Sequence, residues 1–391
     1  MNTATTNSEK HALVLTGGGA RAAYQVGCLR YIARNMPEYR PQILTGTSAG
    51  AINAVHLAAS RKDWADAVED LRNLWLSLDT ERVYVTRLSN LIKRVTVWGL
   101  RLMSGGRLGR ADVRGMVDNS PLRDFLMEAL PVDDKGRILG IDENIAEGLL
   151  HSLAILTTNY GTGRCVAWVE GQGQVSWRTG QLRGYPTDMT VDHIMASSAL
   201  PMFFPAVHLE GVWHGDGGIR LNAPLGPARH LGASRILAVS PRAKPVVGLP
   251  PELREPYPSP AQIAGVMLNA VFLDNLDYDA VQMGRINRLL AQMNQEQAGD
   301  FRRIEVLVLR PREDLGKLAR EREVELPRAF RFFESGLENR EKKSSDTLSM
   351  VMFEREYLEL LMRLGEEDAE ARKDEIEAFL NGAACPVPID F

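Results

Sequence analysis

Residues 11–16 read His-Ala-Leu-Val-Leu-Thr and run straight into three consecutive glycines, Gly17, Gly18 and Gly19. A short apolar run ended by glycine is the pattern of a strand buried on both faces, as in parallel sheets covered by helices. Helical spacing follows over residues 22–35 through Ala23, Val26, Leu29, Tyr31 and Ile32. A second strand is predicted over residues 42–46 and a second helix over 49–60. Strand, glycine turn, helix, strand, turn, helix is the βαβα rhythm of a parallel sheet. Further strands are predicted at 152–158, 165–169, 207–213, 235–240 and 304–309, the last closing the sheet before Pro311.

With 391 residues, 45% of them hydrophobic, the chain can bury one large core with an appendage. The expectation is an α/β fold of three layers with a mostly parallel central sheet over residues 11–311. A disordered stretch, 1–10, precedes it, and a helical region, 312–391, follows with helices at 319–340, 347–364 and 366–380. The proline-rich residues 245–260 read as an extended surface connection.

Residues 46–50, Gly46-Thr47-Ser48-Ala49-Gly50, place a G-x-S-x-G between the second strand and its helix. That is the nucleophile-elbow pattern, in which a strained turn lifts the serine oxygen clear of the sheet while both glycines allow close packing. The helix that follows directs its positive end at Ser48. Three glycines before a helix expose consecutive N–H groups, an anion site. It suits an acyl-transfer oxyanion, with Gly18 and Gly19 as donors. It also suits a dinucleotide pyrophosphate, because Gly17, Gly19 and Ala22 satisfy G-x-G-x-x-[GA]. A dinucleotide needs an acid at the end of the second strand, where this chain has Thr45-Gly46-Thr47-Ser48, and this favours the oxyanion. Asp216-Gly217-Gly218 follows a strand directly, and beside a serine elbow its carboxylate is the natural base. A histidine-dependent triad has little to draw on, since no histidine follows His230. His214, two residues before Asp216, is the rival base.

These motifs together resemble the patatin-like phospholipase family over roughly residues 13–240. The glycine-rich motif with its basic residue is matched by Gly17, Gly18, Gly19 and Arg21, and the serine motif by residues 46–50. The acidic motif is matched by Asp216, Gly217 and Gly218, with residues 196–205 and 222–224 similar to the flanking blocks. The resemblance implies a lipid acyl hydrolase with a Ser48–Asp216 dyad. Gly17, Gly18, Gly19 and Arg21 would form the oxyanion hole, and water would release the acyl group with Asp216 again as base. A free aspartate, with a pKa of about 3.9, is a weak base for a hydroxyl, so the site must raise its basicity or acidify the serine. Ala22 stands where relatives often carry glycine, and a turn needing positive φ there would be strained. A catalytically idle lipid-binding or scaffold protein, and a dinucleotide-dependent oxidoreductase, are the alternatives from other classes. Intact Ser48 and Asp216 argue against the first.

Residues 82–110 carry seven Lys or Arg and no acid, with Leu88, Leu91, Ile92, Val95, Trp98 and Leu102 at helical spacing. Such a basic amphipathic helix either lies in an anionic lipid surface or covers the protein's own core, and as a mobile lid it would do both. The acidic residues 366–377 read as a solvated helix face that alternatively docks on this basic segment. Only Trp98 and Tyr84 offer base stacking there, and the net charge is −4, so no nucleic-acid partner is expected. Metal-ligand spacing is missing, and neither metal nor cofactor is expected. Cys28, Cys165 and Cys385 are odd in number and far apart, which suits buried thiols in a reducing compartment. The first ten residues lack a secretory apolar core, and no run reaches about 18 apolar residues. A cytoplasmic location with peripheral membrane contact is expected. The oligomeric state has no sequence signature here.

Overall fold

The computed structural model describes residues 9–85, 97, 104–105, 115, 117–173, 175–201, 203–243, 275–294, 298–299, 301–321 and 349–383. Most of the basic segment 82–110, the proline-rich stretch 245–260, most of 319–340, residues 1–8 and Cys385 lie outside them.

Among the described residues, ten strands form one sheet: β1 (His11–Leu15), β2 (Ile43–Thr47), β3 (Ser152–Asn159), β4 (Arg164–Gly171), β5 (Trp177–Thr179), β6 (Leu182–Pro186), β7 (Val207–Leu209), β8 (Val212–Asp216), β9 (Arg235–Val239) and β10 (Glu305–Leu309). Their order is β10-β9-β1-β2-β3-β4-β6-β5, and β8 pairs with both β3 and β7. The first five strands of that order run parallel. Neighbouring residues along them point to opposite, equally apolar faces. Leu13, Leu15, Leu44, Leu153 and Ile155 enter one core, while Ala12, Val14, Ile43, Ala154 and Leu156 enter the other. Both faces must therefore be covered, which makes three layers.

One face is covered by α1 (Ala23–Asn35), α2 (Ala49–Ala59), α3 (Trp64–Leu76) and the helix Arg355–Glu370. Leu276, Ala280 and Met283, on the helix Asn275–Leu290, cover the other. Chain direction from β1 runs through β2 and β3 on one side, while β9 and β10 lie on the other. β1 is thus a topological switch point, and ligands of open α/β sheets bind at the carboxyl ends of strands at such points. The turns after β1 and β2 lie there.

Three expectations need correction. Residues 207–213 are not one strand but the start of a hairpin. Glu210 and Gly211 take φ of 47° and 81°, so the chain reverses between β7 and β8. Glu-Gly carries such a primed turn as Asn-Gly does, but its signature is fainter. Strands β5 and β6 were not predicted at all; Arg178, Thr179 and Tyr185 are exposed, so neither strand shows an apolar run. Finally, the break expected between helices 347–364 and 366–380 is not at Gly365, which lies inside the helix Arg355–Glu370, where that helix crosses α1 closely. A β-carbon on Gly365 would lie 2.2 Å from the Tyr24 carbonyl oxygen. At this crossing Asp368 accepts from Tyr24 Oη at 3.0 Å and from the Arg312 N–H at 3.1 Å. Glu366, only partly exposed, pairs with Arg30 of α1, so these two acids of the 366–377 stretch bind the protein's own residues.

Candidate active site

The register of one strand explains how two distant residues meet. Thr47, the last residue of β2, pairs with Leu156 of β3. Asp216, the last residue of β8, pairs with Thr157, the next residue along β3. Since β2 runs parallel and β8 antiparallel to β3, the two strands approach head to head on the same edge. Ser48 leaves the end of one, and Asp216 stands at the end of the other.

Ser48 holds φ 56° and ψ −130° at the start of α2. A non-glycine residue with positive φ is costly, on the order of 1–3 kcal/mol, and persists only where its surroundings enforce it. An ordinary N-cap serine turns its oxygen inward to accept from the first helical N–H groups. Here the hydroxyl makes no such bond. The residue remains partly exposed while nearly everything around it is buried. Gly46 and Gly50 permit the close packing that fixes the elbow. A β-carbon on Gly50 would sit 2.2 Å from the Leu15 carbonyl oxygen, and one on Gly46 would sit 2.8 Å from the Ala54 β-carbon.

Asp216 is fully buried. Its main-chain N–H donates to the Ala199 carbonyl at 3.0 Å, and its carbonyl accepts from Thr158 Oγ1 at 2.8 Å. One carboxylate oxygen, Oδ1, accepts from the Gly218 N–H at 2.9 Å, while Oδ2 has no hydrogen-bond partner. Burial pushes the carboxyl up from 3.8 to about 7, against the opposing pull of Ser48 and of the Gly218 amide. The Ser48 hydroxyl is therefore near enough to favour the charged carboxylate without closing a well-formed bond to Oδ2. Gly217 is needed for this loop to seat, because a β-carbon there would lie 2.3 Å from the Leu156 carbonyl oxygen.

The glycine turn lies beside the serine. A β-carbon on Gly17 would come within 2.8 Å of the Ser48 β-carbon. Gly19, not residue 22, carries the positive φ, 56°, whereas Ala22 sits at φ −66° and is unstrained. Among the described residues, nothing accepts the Gly18 or Gly19 N–H. Arg21 is buried and donates from Nε to Ser349 Oγ at 2.7 Å, which ties the turn to the C-terminal part of the chain. From below, Gln25 Nε2 donates to the Thr16 carbonyl at 2.7 Å and to the Val239 carbonyl at 3.1 Å. Asn53 Nδ2 donates to Gln25 Oε1 at 2.9 Å, and Trp75 Nε1 donates to Asn53 Oδ1 at 2.6 Å. This buried chain links three helices to the strand ends from which the turn springs.

His214 lies elsewhere in the network. Its Nδ1 is 3.0 Å from Thr157 Oγ1, and Nε2 is 3.5 Å from Asn159 Nδ2. Burial lowers its pKa to about 4, so the ring is neutral at pH 7. Sequence reasoning missed Ser197 at the end of helix Val191–Ser197. Its Oγ accepts from the Ser48 main-chain N–H at 3.0 Å and donates to the Leu156 carbonyl at 2.7 Å. The Ala-Ser-Ser-Ala-Leu-Pro run was visible, but which serine meets the elbow depends on tertiary register. Among the described residues, no three His, Cys, Asp or Glu side chains converge as a metal site requires.

A mostly parallel sheet thus carries the serine elbow and the glycine turn at its switch point. The chain belongs to the patatin-like phospholipase family, whose model matches residues 13–229, more than half of its length. No curated protein matches it in sequence. Among solved structures, it is similar to VipD from Legionella pneumophila at 12% identity and a TM-score of 0.37, covering 94% of this chain and 67% of that one. It is also similar to human GIVD cytosolic phospholipase A2 in complex with methyl gamma-linolenyl fluorophosphonate, at 13% identity and a TM-score of 0.44, with 96% of this chain and 59% of that one covered. The type III effector ExoU matches at 14% identity and a TM-score of 0.23, over 88% and 78% of the two chains. The chain thus spans less than two thirds of the human enzyme. No helix among the described residues is long and apolar enough to cross a membrane.

Proposed function

We propose that this chain hydrolyses acyl esters of phospholipids or related lipids through a Ser48 acyl-enzyme, with Asp216 as general base. The reading is carried by the buried Asp216 Oδ2, which has no partner and belongs to a carboxyl raised to about 7 beside the elbow serine. A carboxyl with that pKa is half ionised at neutral pH and is a far better base than an ordinary aspartate. Ser48 Oγ attacks the ester carbonyl as its proton passes to Oδ2, and the carbonyl electrons move onto the oxygen. In this mechanism the N–H groups of Gly18 and Gly19 donate to that oxyanion, and the amino end of α2 adds its partial positive charge. Collapse of the intermediate breaks the ester bond, and Asp216 returns the proton to the departing alkoxide. A water molecule then gives its proton to Asp216 and attacks the acyl-Ser48 carbonyl, freeing the fatty acid and restoring the hydroxyl. A lipid acyl chain seated over the pair would exclude water and keep Asp216 basic.

The test is turnover of an acyl-ester panel, from short-chain nitrophenyl esters to phosphatidylcholine, by wild type and Ser48→Ala. Wild type should hydrolyse these esters, and the variant should fall by roughly four orders of magnitude or more, as when a serine nucleophile is removed elsewhere. Comparable turnover by Ser48→Ala would end the acyl-enzyme reading.

A further inference from the structure

We propose that Ser197 is a positioning residue that splices the elbow into the sheet, and that its hydroxyl holds Ser48 in the reactive conformation. The inference rests on the reading of Ser48 as nucleophile. In a parallel ladder, each strand donates and accepts at alternate residues, so the rung after Thr47 and Leu156 would run from the Ser48 N–H to the Leu156 carbonyl. Among the described residues, no direct hydrogen bond joins that pair. The Ser197 hydroxyl stands between the two groups, 3.0 Å from the first and 2.7 Å from the second.

The direction of this bridge is forced by chemistry. A carbonyl only accepts and an amide N–H only donates, so the single Ser197 proton goes to Leu156 and a lone pair faces Ser48. Ser197 is fully buried, so no water can take over this duty without rearrangement. The bridge also sits at the hub of the site. Gly217 approaches the same Leu156 carbonyl from the Asp216 side, where a β-carbon would come within 2.3 Å. One carbonyl therefore anchors the nucleophile through Ser197 and marks the seat of the acid's loop.

Ser48 holds φ 56°, a conformation its neighbours must maintain. Without the hydroxyl, the Ser48 N–H and the Leu156 carbonyl become orphans facing one another, and the cheapest repair is to pair directly. That repair draws Ser48 back toward extended backbone and swings Oγ away from Asp216. The loss falls on the rate of acylation; ester binding is untouched, and Asp216, losing the nearby hydroxyl that lowers it, titrates at or slightly above its wild-type midpoint.

The experiment measures fluorophosphonate labelling and single-turnover acylation per folded molecule in wild type, Ser197→Ala and Ser197→Cys, with a thermal melt of each. Ser197→Ala should label roughly ten- to a hundredfold more slowly, the penalty of an ångström-scale misplacement of a reacting atom. KM and the melting temperature should stay near wild type, and the pH midpoint should stay or move slightly upward. Cysteine, nearly isosteric but weak as donor and acceptor, should fall between, and it decides the question if the alanine variant does not fold. Wild-type labelling rates in both variants, or slowing in proportion to lost folded protein, would overturn the proposal while leaving the dyad standing. A wild type that takes no label would overturn both.

Discussion

Replacing Asp216 by Asn is expected to cut turnover sharply and, in the same stroke, to stabilise the folded chain above neutral pH. Loss of the base should lower kcat by roughly a thousandfold, within the span measured for general-base removal. The stability effect follows from the raised pKa. Burial holds the carboxyl near 7 when folded, against 3.8 as its ordinary value. Below about pH 3.8 both states hold the proton and the group does not distinguish them. Between 3.8 and 7 the unfolded chain releases it and the folded chain does not, so stability falls as pH rises through this window and stays reduced above 7. Asparagine cannot ionise and escapes that loss, with an advantage of up to about 4 kcal/mol at pH 8 and almost none near pH 4. Urea denaturation of both proteins at the two pH values reads this directly. An equal difference at pH 4 and pH 8 would mean that the carboxylate is not destabilised by burial. Wild-type kcat/KM should rise with pH through a midpoint of about 7, because only the ionised form accepts the serine proton.

Gly19→Ala should be the most damaging single methyl in the glycine turn. Its β-carbon would lie 2.0 Å from the Met350 carbonyl oxygen, and the residue holds φ 56°. Neither strain can relax locally, because Arg21 binds Ser349 on the same stretch. A loss of about 3 kcal/mol or more in stability is expected from the backbone collision and the disfavoured φ together. Acyl-ester turnover per folded molecule should fall by roughly a hundredfold as the Gly18 and Gly19 amides move, the cost typical of a lost oxyanion donor. The pH midpoint should not move, since Asp216 lies on another strand. A shifted midpoint with undiminished turnover at high pH would contradict this division of labour.

The fold was readable wherever one residue type settles one local question. His11 to Leu15 reads as buried strand because nothing polar interrupts its core, and the glycines that follow leave no choice but a turn. The elbow is legible for the same reason, since Gly46, Ser48 and Gly50 satisfy steric demands within five residues. What escaped depends on partners far off in sequence. Glu210 and Gly211 reverse the chain with a weak turn signature, and only that reversal aims Asp216 at the end of β2. The short strands at Trp177–Thr179 and Leu182–Pro186 are half exposed, so the pairing of the second with β4 and of the first with the second decides them rather than any apolar run. Ser197 looks like any small residue near a helix end, and its duty exists only because β3 presents the Leu156 carbonyl there. Gln25, Asn53 and Trp75 read as members of three separate helices, yet they form one hydrogen-bonded prop under the glycine turn. The concern over Ala22 likewise dissolves in three dimensions, because the positive φ falls three residues earlier, at Gly19.

The account stands on Ser48 as the atom that carries the acyl group. Labelling the whole chain with a fluorophosphonate and mapping the modified peptide by mass spectrometry tests this most directly. The adduct should fall on Ser48 alone, at one per chain, and disappear in Ser48→Ala. An adduct on any other residue, or one that survives the substitution, would contradict the account.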